Sequence, residues 1–76
     1  MCRYFFDLVG EGRSEYDYRG RDLPSPQSAY HLAELIAVDL AVEEQELWCG
    51  WAVKVRNVQG REMFCVPVQS EYLAAA

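Results

Sequence analysis

Hydrophobic and polar positions change their period along this chain, and each change marks an element. Over residues 3–9, Tyr4, Phe6 and Leu8 fall on one face, with Phe5 and Asp7 on the other. That alternation is a strand, and apolar residues on both faces place it inside a sheet. Gly10-Glu11-Gly12 is a turn signal. Residues 14–18 follow, with Tyr16 and Tyr18 on one face, and are expected to pair with the first strand as a hairpin.

Residues 20–26 read as a connector closing on Leu23-Pro24-Ser25-Pro26. Ser25 suits a helix N-cap, and Pro26 suits the first helical position, where its missing N–H costs nothing. The period then becomes helical. Residues 26–47 contain no glycine and no internal proline, and Ala29, Leu32, Ala33, Ile36, Leu40 and Leu47 form a stripe expected to face the sheet. A second stripe, Leu35, Val38 and Val42, lies roughly opposite the first. Beyond Gly50 the period returns to two: Trp51, Val53 and Val55 alternate with Ala52, Lys54 and Arg56. Asn57-Val58-Gln59-Gly60 reads as a tight turn. Residues 61–68 make the last strand, with Phe64, Val66 and Val68 on one face, and Pro67 assigns it to the sheet edge.

The pattern predicts an α+β fold, ββαββ: a four-stranded, mostly antiparallel sheet with one long helix packed on one face. The predicted strand order is 2-1-3-4, which keeps the apolar first strand central. The whole chain, 1–76, is expected to be one domain. Its parts are a hairpin (1–19), a helix (26–47), a second hairpin (51–68) and a tail (69–76).

Charge adds direction. The formal net charge is −5, which opposes generic nucleic-acid binding, since that binding relies on neutralising phosphates. Between Pro26 and Leu47 stand five acids, Glu34, Asp39, Glu43, Glu44 and Glu46, and no Lys or Arg. Acids near a helix C-terminus oppose the macrodipole, so at least one of Arg3, Arg19 or Arg21 is expected near that end. Cys2, Cys49 and Cys65 are odd in number and lack metal-ligand spacing, so neither a disulfide framework nor a zinc site is expected. A turn centred near Gln59 sets Cys65 opposite Val53 or Lys54 and out of reach of Cys49. No leader pattern and no membrane-length apolar run are present, and free thiols fit a reducing setting. The expectation is a cytoplasmic protein without membrane contact.

Four segments carry a resemblance. Met1-x-Arg3-Tyr4-Phe5-Phe6-Asp7, Asp17-x-x-Gly20-x-x-Leu23-Pro24, Gly50-Trp51-x-Val53-x-Val55-x-Asn57-x-x-Gly60-Arg61 and Val66-Pro67 together resemble a family of short bacterial proteins of unknown function. Its members open on an Arg-Tyr-Phe-Phe-Asp strand and close on a Val-Pro strand. Cys2 stands where that family usually has Pro, and Asn57 where it has Asp. The resemblance implies a self-contained unit and no particular chemistry.

Candidate chemistry is sparse. His31 and Glu34 have the i, i+3 spacing of a ligand pair, but no further ligands are signalled, so a solvent-facing pair is the ordinary reading. Cys65 with His31 would be a nucleophile–base pair lacking any orienting group, and a small buried strand cysteine is the commoner case. Tyr4, Phe5, Phe6, Tyr16 and Tyr18, flanked by Arg13, Arg19 and Arg21, would make a base-stacking platform, a reading the acidic charge opposes. The favoured expectation is a non-catalytic interaction or regulatory module without cofactor or metal. It would contact a second copy, or another protein, through Leu35, Val38 and Val42 on the helix and Phe5 and Met63 on the open face of the sheet. Nucleic-acid binding through Arg13, Arg19 and Arg21 is the alternative.

Overall fold

A computed structural model describes residues 1–43, 45–48 and 50–68, and of residues 45 and 46 the backbone only. The strands are β1 (Cys2–Gly10), β2 (Arg13–Glu15), β3 (Arg21–Leu23), β4 (Ala52–Arg56) and β5 (Glu62–Pro67); the helices are α1 (Pro26–Glu43) and α2 (Gln45–Trp48). Every strand pair is antiparallel. The order is β2-β1-β4-β5, with β3 also on β1, so the expected arrangement holds, with five strands rather than four among the described residues. The expected tail, residues 69–76, lies outside the described residues, as do Glu44 and Cys49.

The fifth strand has a local cause. Residues 16–20 do not extend the hairpin. The Phe6 N–H, which an edge strand would otherwise satisfy, donates instead to Asp17 Oδ2 at 3.1 Å. The chain therefore leaves the sheet after Glu15 and rejoins β1 further along, setting Arg21 opposite Tyr4 and Leu23 opposite Cys2. Gly20 allows this return. Its φ is +73°, and a Cβ there would lie 2.9 Å from the Tyr4 carbonyl oxygen, the Phe5 ring and the Arg3 side chain.

Helix α1 starts as its sequence directs. Ser25 Oγ accepts from the Ser28 N–H at 3.2 Å, an N-cap bond, with Pro26 just inside. The sheet-facing ridge differs from the expected stripe. Ala29, Ala33, Ala37 and Ala41 are buried at i+4 spacing, whereas Leu32, Ile36 and Leu40 flank them half-buried. Leu47, expected inward, is 53% exposed. Alanines along one i±4n ridge bring the helix close to the sheet, so the larger side chains turn to the sides of the contact. Val53 and Val55 of β4 are the largest side chains fully buried beneath it.

At the far end of β1 the Trp51 indole covers Gly10, where a Cβ would come within 2.3 Å of the ring, and Trp48 meets Trp51 edge-on with centroids 4.9 Å apart. The β4–β5 turn forms as expected. Asn57 Oδ1 accepts from the N–H groups of Gln59 and Arg61, both at 2.9 Å, and Gly60 has φ +83°. Cys65 pairs with Lys54 in register, and β5 lies at one edge of the sheet, as expected of the Pro67 strand.

Candidate functional site

The most organised group of polar side chains lies on the sheet face away from α1. Asp7 follows Phe6 on β1, so alternation turns its carboxylate from the core, yet it is only 2% exposed. Arg56 covers it. Arg56 Nε donates to Asp7 Oδ2 and Nη2 donates to Oδ1 at 3.1 Å, a bidentate pair; Nη2 also reaches the Asp17 carbonyl oxygen at 3.2 Å. The Asp17 N–H donates to Asp7 Oδ1 at 2.9 Å. The same guanidinium sits 5.1 Å from the Phe5 ring centroid, its cross-strand partner.

Asp17 ties the loop to this group. Its carboxylate accepts from the N–H groups of Phe6, Arg19 and Gly20. Burial works to raise its pKa, but those three donors and the Arg56 charge outweigh it and hold Asp17 below the usual carboxylate range. The bond to Asp7 raises the Arg56 pKa against the opposing effect of burial. Phe5, Tyr16, Asp17, Tyr18 and Arg56 line a shallow hollow of about 370 Å³. Three aromatic rings beside a carboxylate form the outline of a cation cage, and the cation on the Phe5 ring is the protein's own Arg56.

The other residues singled out by sequence are dispersed. Leu35 and Val42 stand 62% and 60% exposed on the outer face of α1, with Val38 half-buried beside them. Phe5 is half-buried under Arg56. Met63, expected with Phe5 on the open face, packs against the core. The register slips there: Val55 faces Phe64 and Arg56 faces Glu62, so Met63 is the extra residue of a bulge and the alternation fails at that point. Arg13, Arg19 and Arg21 are exposed. The stacking platform is split: Tyr4 is buried and Phe6 packs on the core, whereas Tyr16 and Tyr18 leave the sheet with the loop.

None of Arg3, Arg19 or Arg21, among the described residues, pairs with an acid of the last helical turn. Arg3 binds Asp22 through Nε and Nη2 at 3.0 and 3.1 Å, a bond that raises the Arg3 pKa and lowers that of Asp22. Arg19 and Arg21 lie beside Leu32 and Ile36, about two turns short of the end of α1. The connector crosses the middle of the helix because β3 must return to the first residues of β1. His31 Nδ1 and Glu34 Oε1 are 3.5 Å apart in solvent, and no cluster fit for a metal occurs among the described residues. Cys65 is exposed rather than buried. It faces away from its neighbour Phe64, which meets Tyr30 on the helix side, so the sheet separates Cys65 from His31.

Sequence reasoning missed Asp7, Asp17 and Arg56. Their signal was present but weak: an acid inside an aromatic strand, and an Asp three residues before a glycine.

An open antiparallel sheet with one helix across it and an arginine–aspartate lock on the other side defines a small α+β domain. The family model described as "Domain of unknown function (DUF6894)" matches residues 3–69, and the chain belongs to that family. No curated protein and no solved structure matches it. Among the described residues no helix is long and apolar enough to cross a membrane.

Proposed function

We propose that the domain is a non-catalytic interaction module that self-associates through the outer face of α1. The observation that carries this reading is the exposure of Leu35 and Val42, with Val38 between them, opposite the buried alanine ridge. The open face of the sheet is a poorer contact surface. Its main polar groups are satisfied internally, Arg56 by Asp7 and Lys54 by Glu62 at 3.3 Å. A domain of this size buries only about 60% of its unfolded surface, so spare apolar surface is energetically useful to it.

Charge sets the character of the contact. Asp39 and Glu43 are exposed on α1, which has no Lys or Arg to answer them. Two copies packed helix to helix bring like charges together, so added salt strengthens the dimer by screening. A basic partner protein would show the opposite salt dependence. The test is absolute mass by light scattering across a concentration series at low and high salt. The reading predicts a dimer favoured by salt and dispersed by Leu35→Asp with unchanged circular dichroism. A monomer under all conditions would contradict it.

A further inference from the structure

We propose a second site: the hollow between the 17–21 turn and the middle of α1 binds a carboxylate that carries a short apolar body. This cavity of about 360 Å³ is lined by Phe6, Leu32 and Ile36 and by the turn residues Asp17, Arg19, Gly20 and Arg21. The first three supply apolar contact and are half-buried. Both arginines are exposed. Arg3, Lys54 and Arg56 each have an acid partner. Among the described residues the guanidinium groups of Arg19 and Arg21, like those of Arg13 and Arg61, have neither an ion-pair nor a hydrogen-bond partner, and of these four only Arg19 and Arg21 line this cavity.

The turn that bears them is held in place before any ligand arrives. Asp17 accepts three backbone N–H groups, Arg3 Nη1 donates to the Arg19 carbonyl oxygen at 3.2 Å, and Arg21 is paired with Tyr4 in the β1–β3 ladder. Gly20 packs so closely on β1 that a Cβ would meet atoms at 2.9 Å. A fixed backbone lowers the ordering cost of binding. Guanidinium groups match the planar geometry of a carboxylate. The apolar lining asks for a hydrocarbon portion, and the net charge of −5 disfavours a multiply charged anion. Asp17 adds one negative charge to the lining, against the two positive charges of Arg19 and Arg21, and its oxygens accept from the N–H groups of Phe6, Arg19 and Gly20. The carboxylate comes from a free acid or from the C-terminus of a peptide. The site does not depend on the helix contact proposed above.

Heteronuclear NMR titration tests it, with octanoate, octanol, inorganic phosphate and N-acetyl-alanyl-leucine as probes. Octanoate is expected to shift the signals of Gly20, Leu32 and Ile36, and to bind at least tenfold tighter than octanol or phosphate. Tighter binding of the acetylated dipeptide than of octanoate assigns the carboxylate to a chain terminus; the reverse assigns it to a free acid. The Arg19→Gln/Arg21→Gln variant should lose at least tenfold in affinity for octanoate at unchanged Tm, since neither side chain has a partner to lose. Equal binding by that variant, equal binding of octanol or phosphate, or shifts elsewhere on the surface would overturn the proposal.

Discussion

Asp7 shows how a single residue can depend on one distant partner. Its carboxylate is buried on a sheet face with no helix over it, and Arg56, far along the chain, makes that burial tolerable. Removing the arginine strands a charge. Arg56→Ala is therefore expected to cost about 3–5 kcal/mol, a large part of the stability of a small domain, read as a lower urea midpoint. A loss of stability under about 1 kcal/mol would mean that water replaces the guanidinium. Asp17 adds a pH dependence. Its folded pKa is depressed, so its contribution is fully present above its ordinary value of 3.8 and is lost as pH falls through the lower folded value. Acid unfolding below about pH 4 should be less steep in Asp17→Asn than in the parent. Neither pairing was legible in the sequence. Alternation says only that Asp7 faces away from Phe6, and nothing local names Arg56 as its partner. The Ser25 cap and the Asn57–Gly60 turn were legible, because each depends on bonds spanning only a few residues.

At the scale of elements, period carried most of the information. It placed the central strand, the helix start, the closing hairpin and the strand order. It misplaced the sheet-facing line of α1. A hydrophobic stripe ranks leucine above alanine, whereas close contact with β4 favours the small residue, so Ala37 and Ala41 are buried and Leu47 is not. The consequence is testable. Ala37→Leu should push the helix off Val53 and Val55 and destabilise by about 1–3 kcal/mol, seen as a lower Tm with retained helicity. Unchanged stability would show that the ridge has room to spare. The split edge strand was missed for a different reason. Tyr16 and Tyr18 have the alternation of a strand, but the Asp17 carboxylate takes the β1 N–H that such a strand would have used. Side-chain competition for one backbone donor leaves no periodic trace. Met63 was misassigned through the bulge, where period two breaks.

For the whole molecule, the two faces differ in kind. The open side of the sheet is closed by ion pairs and a cation on an aromatic ring, whereas the outer side of α1 leaves Leu35 and Val42 in solvent among acids. That asymmetry was partly legible: the second stripe and the absence of basic residues on the helix are both plain in the sequence. The internal satisfaction of the open face, which moves the weight of the interaction reading to the helix, required the fold. The proposal made here is that the outer face of α1 is where this domain meets a second copy. Its most direct test is the absolute mass of parent and Leu35→Asp across a concentration series at two salt concentrations. The expected result is a parent dimer that strengthens with salt, and a folded Leu35→Asp monomer. A parent that stays monomeric throughout, or a Leu35→Asp variant that keeps the parent's mass, would contradict it.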